Sequence, residues 1–574
     1  MGRKEIEKKR IILIGVFLSL FLIGTILIFT TPTSVKITYS LSAKSKDGNM
    51  VSFNVFEPVD GDKEKKAVII GHGAMVNKEM LKGYAIELAA AGFVAVPFDF
   101  RGHGQSTGAL NFGDLINDIK AIKGYLEDRG DIDVENGLGY IGYSMGGFPA
   151  AELVKKDDSF KCFIGIGTGL PLDEDDAVKI DSGHELNVLM ILAQYDQAFS
   201  IEKIKEGMGI RMDIDADDID VNKLYGSFSD GTASKIFLDD NSDHLTTAWD
   251  QDFIREARDW VMNTFPDVRA VDQYFYVNVR ALIFLLQIIG GIGLFFLLIE
   301  PLSNLIIKDR EEEPYKIELE GETAKSISKS FIIYSFILSW LFVFMAVIFL
   351  MLPLLLAGLM LALLLGQIFG ILLLLRKYAK KTNSSLKTIL TGPFKVSREK
   401  LQRELILGII LAVLLYFILY ISIGLNYLGM IPSISKIIWI PIYFAVLFFI
   451  FLVFNIAFES ILHQKFEDGF KGMFKSVGAA FGILAMYLTT WILVPCILLG
   501  NYFLTLVLMI SIPIYLLTVF VSAVVYQKTG SVVVSAIANT LFLICLLSTL
   551  SPFLNIFIVL EQMGDLSSLA ESVF

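Results

Sequence analysis

From Ser476 to Gln527 the chain carries no acidic or basic side chain, and the same holds from Phe331 to Leu375. Runs of that length leave few choices. One helix crossing a bilayer needs roughly 20 apolar residues, so each run is long enough for two. Inside hydrocarbon every backbone amide must find its partner within the segment, which makes the helix the expected form. Pro353 breaks the first run near its middle, and Gly500-Asn501 breaks the second. Single runs at Ile11–Thr30, Ala281–Ile299, Leu405–Leu425, Ile437–Phe458 and Ser531 to about Pro552 bring the expected count to nine spans. A composition of 54% hydrophobic and 19% charged residues excludes intrinsic disorder and a purely water-soluble protein.

The formal net charge of −11 divides unevenly. Pro32 to Ala270 holds 24 basic and 41 acidic residues, a net of −17, and the remainder is +6. With the N-terminus MGRKEIEKKR in the cytoplasm, the inner segments become 1–10, 300–330, 376–404, 459–475 and 527–530, which carry 23 basic residues. The outer loops carry Lys436 and little else. That contrast satisfies the positive-inside rule along the whole chain and puts the acidic block outside the cytoplasm. Its acidity disfavours close docking on anionic headgroups. The first apolar run exceeds the usual signal-peptide core and lacks a small-residue cleavage site, so it reads as an uncleaved anchor. The basic residues form no aromatic-interleaved patch, which argues against nucleic acid as a partner. Cys162, Cys496 and Cys545 show neither metal spacing nor a disulfide framework.

The acidic block alternates strands and helices. AVII, FVAVPFDF, GLGYIGYS, FKCFIGIG, NVLMILAQYD and SKIFLDD read as strands, with amphipathic helices at KEMLKGYAIELAAAG and DLINDIKAIKGYLEDRG. This predicts a doubly wound, mainly parallel sheet, with active residues on loops at the strands' carboxyl ends. There Gly142-Tyr143-Ser144-Met145-Gly146 forms G-x-S-x-G between a strand and a helix. The motif makes a sharp turn that exposes a serine hydroxyl. Serine needs a base to attack at neutral pH. Asp196 at a strand end and His244 in NSDHL complete the order Ser, Asp, His. Ser144 is the expected nucleophile, His244 the proton shuttle and Asp196 the group that orients the imidazole. The backbone N–H groups of Met145 and Ala74 are the expected oxyanion donors.

GHGAMVNKEM, DFRGHGQSTG, GYSMGG, YD and DH together resemble the α/β-hydrolase fold, closest to serine aminopeptidase and monoacylglycerol-lipase-like hydrolases, over about two-fifths of the chain. The resemblance implies a serine hydrolase acting on an ester, thioester or amide without cofactor or metal. It leaves the substrate class open, because this fold hosts many chemistries. The short link Leu170–Leu186 leaves no room for a large cap, and Gly207–Ala233 reads as an insertion that forms a partial lid. The expected organisation is a cytoplasmic N-terminus (1–10), a transmembrane anchor (11–31) and an α/β-hydrolase domain (34–268). A bundle of about eight transmembrane helices (280–555) and a tail (556–574) follow. The partners implied are a small-molecule or lipid ester or amide and the bilayer itself. A rival reading is a transporter or scaffold whose hydrolase-like domain only binds ligand.

Other polar residues read more simply. His72 and His103 shape HG loops, and His184 sits in a solvated loop. Asp213 to Asp220 lacks the glycine and terminal glutamate of a calcium loop and reads as a solvated acidic turn. Asn455, Glu459 and His463 share a helix face near the inner end of one span. The FES and TGSVVVSAIANTLF segments are faintly similar to CAAX-protease-like membrane proteins. Ser460, Gln464 and Asn539 stand where that family needs glutamate, arginine and histidine, so the likeness implies no catalytic site.

Overall fold

A computed structural model describes residues 3–60, 64–173, 178–180, 185–307, 314–467 and 469–554. His184 and the expected tail 556–574 lie outside the described residues. The chain forms two compact units. Among the described residues, one holds Thr25–Phe284, Ile423–Ile437 and 549–554; the other holds 3–24, Leu285–Ser422 and Ile438–Ser548.

The first unit is built on eight strands: β1 (Val35–Lys44), β2 (Met50–Pro58), β3 (Ala67–Gly71), β4 (Val94–Phe98), β5 (Leu138–Tyr143), β6 (Phe160–Ile166), β7 (Asn187–Tyr195) and β8 (Ser234–Asp243). Their order across the sheet is β1-β2-β4-β3-β5-β6-β7-β8. β1 and β2 pair with each other, and β2 with β4, antiparallel; every later pair is parallel. The N-terminal hairpin β1–β2 was not singled out in the sequence, because its alternation is interrupted by the break in register after Thr38. β3, β4 and β5 are buried throughout, as expected of strands covered on both faces. Removing side chains such as Ile69, Val96 and Phe163 from water contributes about 1.5–3 kcal/mol each.

The helices, numbered through the whole chain, begin with α1 (Arg3–Thr30). α2 (Lys82–Ala90), α3 (Leu115–Arg129), α4 (Gly147–Lys156) and α5 (Ile201–Met212) cross over between successive parallel strands, and α6 (Gln251–Thr264) follows β8. Local chemistry sets their ends. Gly130 at φ +69° stops α3, and the Asp250 carboxylate accepts the N–H groups of Asp252 and Phe253 to start α6. The expected lid divides: Gly207 to Met212 completes α5, and the chain then follows the outer edge of β8. Asn222 bonds the backbone of Ile236 and Leu238 there, and Tyr225 pairs with Ser234. This covers the open sheet edge, whose unpaired N–H and C=O groups need partners.

The second unit is helical. α7 (Val277–Ile306), α8 (Ala324–Ile337), α9 (Phe342–Leu350), α10 (Leu355–Lys381), the short α11 (Leu386–Thr391), α12 (Arg398–Leu419), the short α13 (Ile434–Ile437) and α14 (Ile440–Ala457) precede α15 (Phe470–Leu499), α16 (Thr505–Thr529) and α17 (Val532–Leu550). α13 and the first turns of α7 belong to the first unit. Among the described residues, eight helices, α1 included, are long and apolar enough to cross a membrane. The bent pair α8 and α9, 41° apart, raises the number to nine if it forms one span. Gly500, at φ +67°, closes α15 where the hairpin was expected. Glu459 is 2% exposed. It lies in a π-helical turn over Phe458–Leu462, whose wider winding breaks the regular spacing from Asn455 to His463.

Candidate active site

The sheet order reverses beside β3, so the loops after β3 and β5 meet at the carboxyl end of the sheet. The loop after β5 is the G-x-S-x-G turn. Ser144 takes φ +49°, a left-handed conformation that costs an ordinary residue about 1–3 kcal/mol. The turn closes only because two neighbours are glycine. A Cβ on Gly142 would sit 2.6 Å from the Gly147 Cα, and one on Gly146 would sit 2.6 Å from the Gly71 carbonyl oxygen.

The three triad candidates come together. His244 Nε2 lies 3.1 Å from Ser144 Oγ, and His244 Nδ1 lies 2.8 Å from Asp196 Oδ2. The other carboxylate oxygen of Asp196 accepts the N–H groups of Ala198 and Phe199, both at 2.8 Å. The carboxylate is therefore aimed by backbone as well as by the imidazole. The His244 carbonyl accepts Tyr143 Oη and Thr247 Oγ1, each at 2.7 Å, which fixes the loop carrying the ring. Tyr143 and Phe199 place their rings 5.4 and 6.0 Å from the imidazole. His244 is 3% exposed. Gly167 leaves the space behind the pair: a Cβ there would come within 3.0 Å of His244 Nδ1.

Met145 follows Ser144 in a short 3-10 turn leading into α4. Ala74 lies on the loop after β3, and that loop passes close to the serine: a Cβ on Gly73 would be 3.0 Å from Ser144 Cβ. His72 braces this loop. Its Nε2 accepts the Phe100 N–H at 3.1 Å, so Nδ1 donates to the Gly73 carbonyl at 2.6 Å. Burial lowers the His72 pKa to about 4, which keeps the ring neutral. His103 bonds the Arg101 carbonyl. Both histidines shape loops, as their HG contexts suggested.

Two supports of the site were not legible in the sequence. Asp99, at the end of β4, accepts the Lys78 N–H at 2.8 Å, Lys78 Nζ at 2.6 Å and the Gln105 N–H at 2.9 Å. Asn77 pairs reciprocally with Gly429: its Oδ1 accepts the Gly429 N–H at 2.9 Å and its Nδ2 donates to the Gly429 carbonyl at 3.2 Å. Gly429 is 352 residues away in sequence, so no local pattern announces the contact.

In the acidic run from Asp213 to Asp220, two carboxylates make local bonds. Asp215 caps a short turn, and Asp220 pairs with Lys223 at 2.9 Å. Elsewhere Asp239, Asp250 and Asp252 bring carboxylate oxygens within 4.8 Å of one another, with Asp250 also accepting from Ser242 and capping α6.

Residues 62–204, roughly a quarter of the chain, match the family described as serine aminopeptidase, S33. No curated protein matches the chain. Among solved structures, an esterase of Pyrococcus furiosus aligns at 17% identity over 40% of this chain and 94% of its own, with a TM-score of 0.32. A Rhodococcus esterase aligns at 15% over 40% and 100% (TM-score 0.29). A predicted CIB-like hydrolase of Thermoplasma acidophilum aligns at 16% over 40% and 99% (TM-score 0.30). The first unit carries an α/β-hydrolase domain, and the protein is a hydrolase of that fold joined to a region of long apolar helices.

Proposed function

We propose that this protein is a membrane-bound serine hydrolase that cleaves an ester, thioester or amide through an acyl-enzyme on Ser144. The observation that carries the reading is the continuous hydrogen-bond line from Asp196 through His244 to Ser144 at a strained strand-to-helix turn. His244 Nε2 takes the hydroxyl proton as Oγ attacks the acyl carbon, and Asp196 holds the tautomer and stabilises the imidazolium. The oxyanion is received by the N–H groups of Ala74 and Met145. Each such donor lowers the barrier by about 3–4 kcal/mol. His244 then returns the proton to the leaving group, and water repeats the sequence to release the acid.

A lipid or lipid-linked acyl substrate fits a hydrolase tethered to apolar helices. The charge pattern supports a cytoplasmic N-terminus and an extracytoplasmic hydrolase domain in the cell membrane. The nine-span reading puts 426–436 and the chain after 552 on the hydrolase side. In keeping with it, Ile423–Ile437 and residues 549–554 belong to the hydrolase unit.

A fluorophosphonate probe tests the central claim. Wild type should be labelled and Ser144→Ala should not, with ester turnover falling by about 10³-fold or more. Equal labelling of both proteins would sink the assignment.

A further inference from the structure

The hydrolase unit holds a cavity of about 550 Å³ lined by no member of the triad, within the usual range for small-molecule sites of roughly 300–1,000 Å³. Its walls include Trp249, Ile254, Val277, Phe284 and Tyr427, and Arg280 lines it as well. The wall is largely aromatic and aliphatic. Trp249 and Phe284 set their rings edge-on to Tyr427, at 5.7 and 5.1 Å. Gln251 and Asn278, both exposed, bond each other at 3.3 Å.

Two donors face this apolar setting. Arg280 is 7% exposed; its guanidinium donates to the Asn426 carbonyl at 3.1 Å and lies 5.8 Å from the centre of the Tyr427 ring. Among the described residues no carboxylate lies within 4.0 Å of it. The carboxylates whose charge reaches it stay out of contact: Glu87 accepts the Tyr276 N–H at 2.7 Å, Glu79 accepts Asn54 Nδ2 at 2.9 Å, and the second oxygen of each has no partner among the described residues. Lys82, the neighbouring ammonium, is held by Tyr39 Oη and the Leu425 carbonyl, both at 2.8 Å. The buried indole nitrogen of Trp249 has no hydrogen-bond partner among the described residues. A largely buried cation that touches no carboxylate has room for an anionic partner, and a buried donor without an acceptor is costly. A ligand that brings anionic oxygens and hydrocarbon together would serve both.

We propose that this cavity binds one acidic phospholipid, its phosphate on Arg280 and Trp249 Nε1 and an acyl chain along Ile254, Val277 and Phe284. The choice of a bilayer lipid follows from the walls themselves. Val277, Ala281 and Phe284 are the first turns of α7, and Ile423 lies at the end of the segment Arg398–Gly424; both are long and apolar enough to cross a membrane. The cavity thus begins where those apolar surfaces begin. A single lipid held in a pocket by one guanidinium does not require the acidic domain surface to meet a charged bilayer. The site goes beyond the hydrolytic reading and does not depend on it.

Native mass spectrometry of the full chain, released from nanodiscs of phosphatidylglycerol and phosphatidylcholine, tests the proposal. Measuring in the Ser144→Ala background removes any turnover of the lipid. Phosphatidylglycerol should be retained over phosphatidylcholine, and Arg280→Gln should weaken retention about tenfold, the loss expected for one charge-assisted contact. Trp249→Phe keeps the ring and removes only the donor; it should weaken retention by a smaller factor at an unchanged unfolding temperature, which excludes misfolding as the cause. Equal retention of the two lipids by the parent, or phosphatidylglycerol retention untouched by both variants, would overturn the site.

Discussion

Ser144, Asp196 and His244 were legible because each stands in a local string that the chemistry demands: a glycine-flanked turn, a strand-terminal YD and a DH beyond the last strand. Glu87 was not. In sequence it is one acid on an amphipathic helix, and only packing reveals that it is fully buried. Burial pushes its carboxyl from the usual 4.5 up to about 7, while the Tyr276 N–H works in the opposite direction. The folded state therefore keeps a proton that the unfolded chain gives up above 4.5. The resulting stability is fully present below that pH and is lost as pH rises through about 7, with a magnitude of about 3 kcal/mol. Glu87→Gln cannot titrate, so its thermal midpoint should gain on wild type between about pH 5 and pH 8. A difference that stays constant across that interval would show that Glu87 does not titrate there.

At the scale of elements, the strand–helix alternation and the apolar runs were readable because both have a period or a length that composition reports. The loops are different. The segment after β3 reaches its position through partners from remote chain: Asn77 on Gly429, and, on the neighbouring loop after β4, Gly104 on Ser433 and Gly102 on Phe553. Asn77 is 1% exposed and stands three residues after Ala74, so its clamp holds the loop proposed above to stabilise the oxyanion. Asn77→Ala leaves both backbone groups of Gly429 without partners, a destabilisation of about 2 kcal/mol. It should lower the thermal midpoint and reduce kcat for a short-chain ester with little change in KM. An unaltered kcat beside a lowered midpoint would mean that the clamp supports the fold and not the oxyanion loop.

For the whole molecule, a chain read as a soluble block between membrane segments proves to have a hydrolase unit assembled from three stretches. Ile423–Ile437 and residues 549–554 join it, and Lys436 is fully buried there, its Nζ bonded to the Ser551 carbonyl at 2.8 Å and the Thr549 carbonyl at 3.3 Å. Burial lowers the Lys436 pKa to about 7, the mark of a group enclosed by protein. A fragment of residues 33–270 lacks both added stretches. It should unfold at a lower temperature than the same unit in the full chain, and fluorophosphonate labelling of Ser144 in it should be slower. A fragment that matches the full chain in both respects would show that the added stretches are passengers.

The sequence by itself determined the materials: where hydrocarbon length demands helices in lipid, where alternation demands a covered sheet, and which serine, acid and base stand in the order this fold uses. These are local properties, written within a few turns or strands of chain. Only the tertiary structure decided that Asp196 and His244 meet Ser144 within hydrogen-bond reach, that Gly429 steadies the loop beside it, and that Arg280 is enclosed beside Asn426 and Tyr427. Each of these depends on residues that chain distance separates and packing brings together. A hydrogen bond is set by ångströms in space, and no spacing in sequence encodes it.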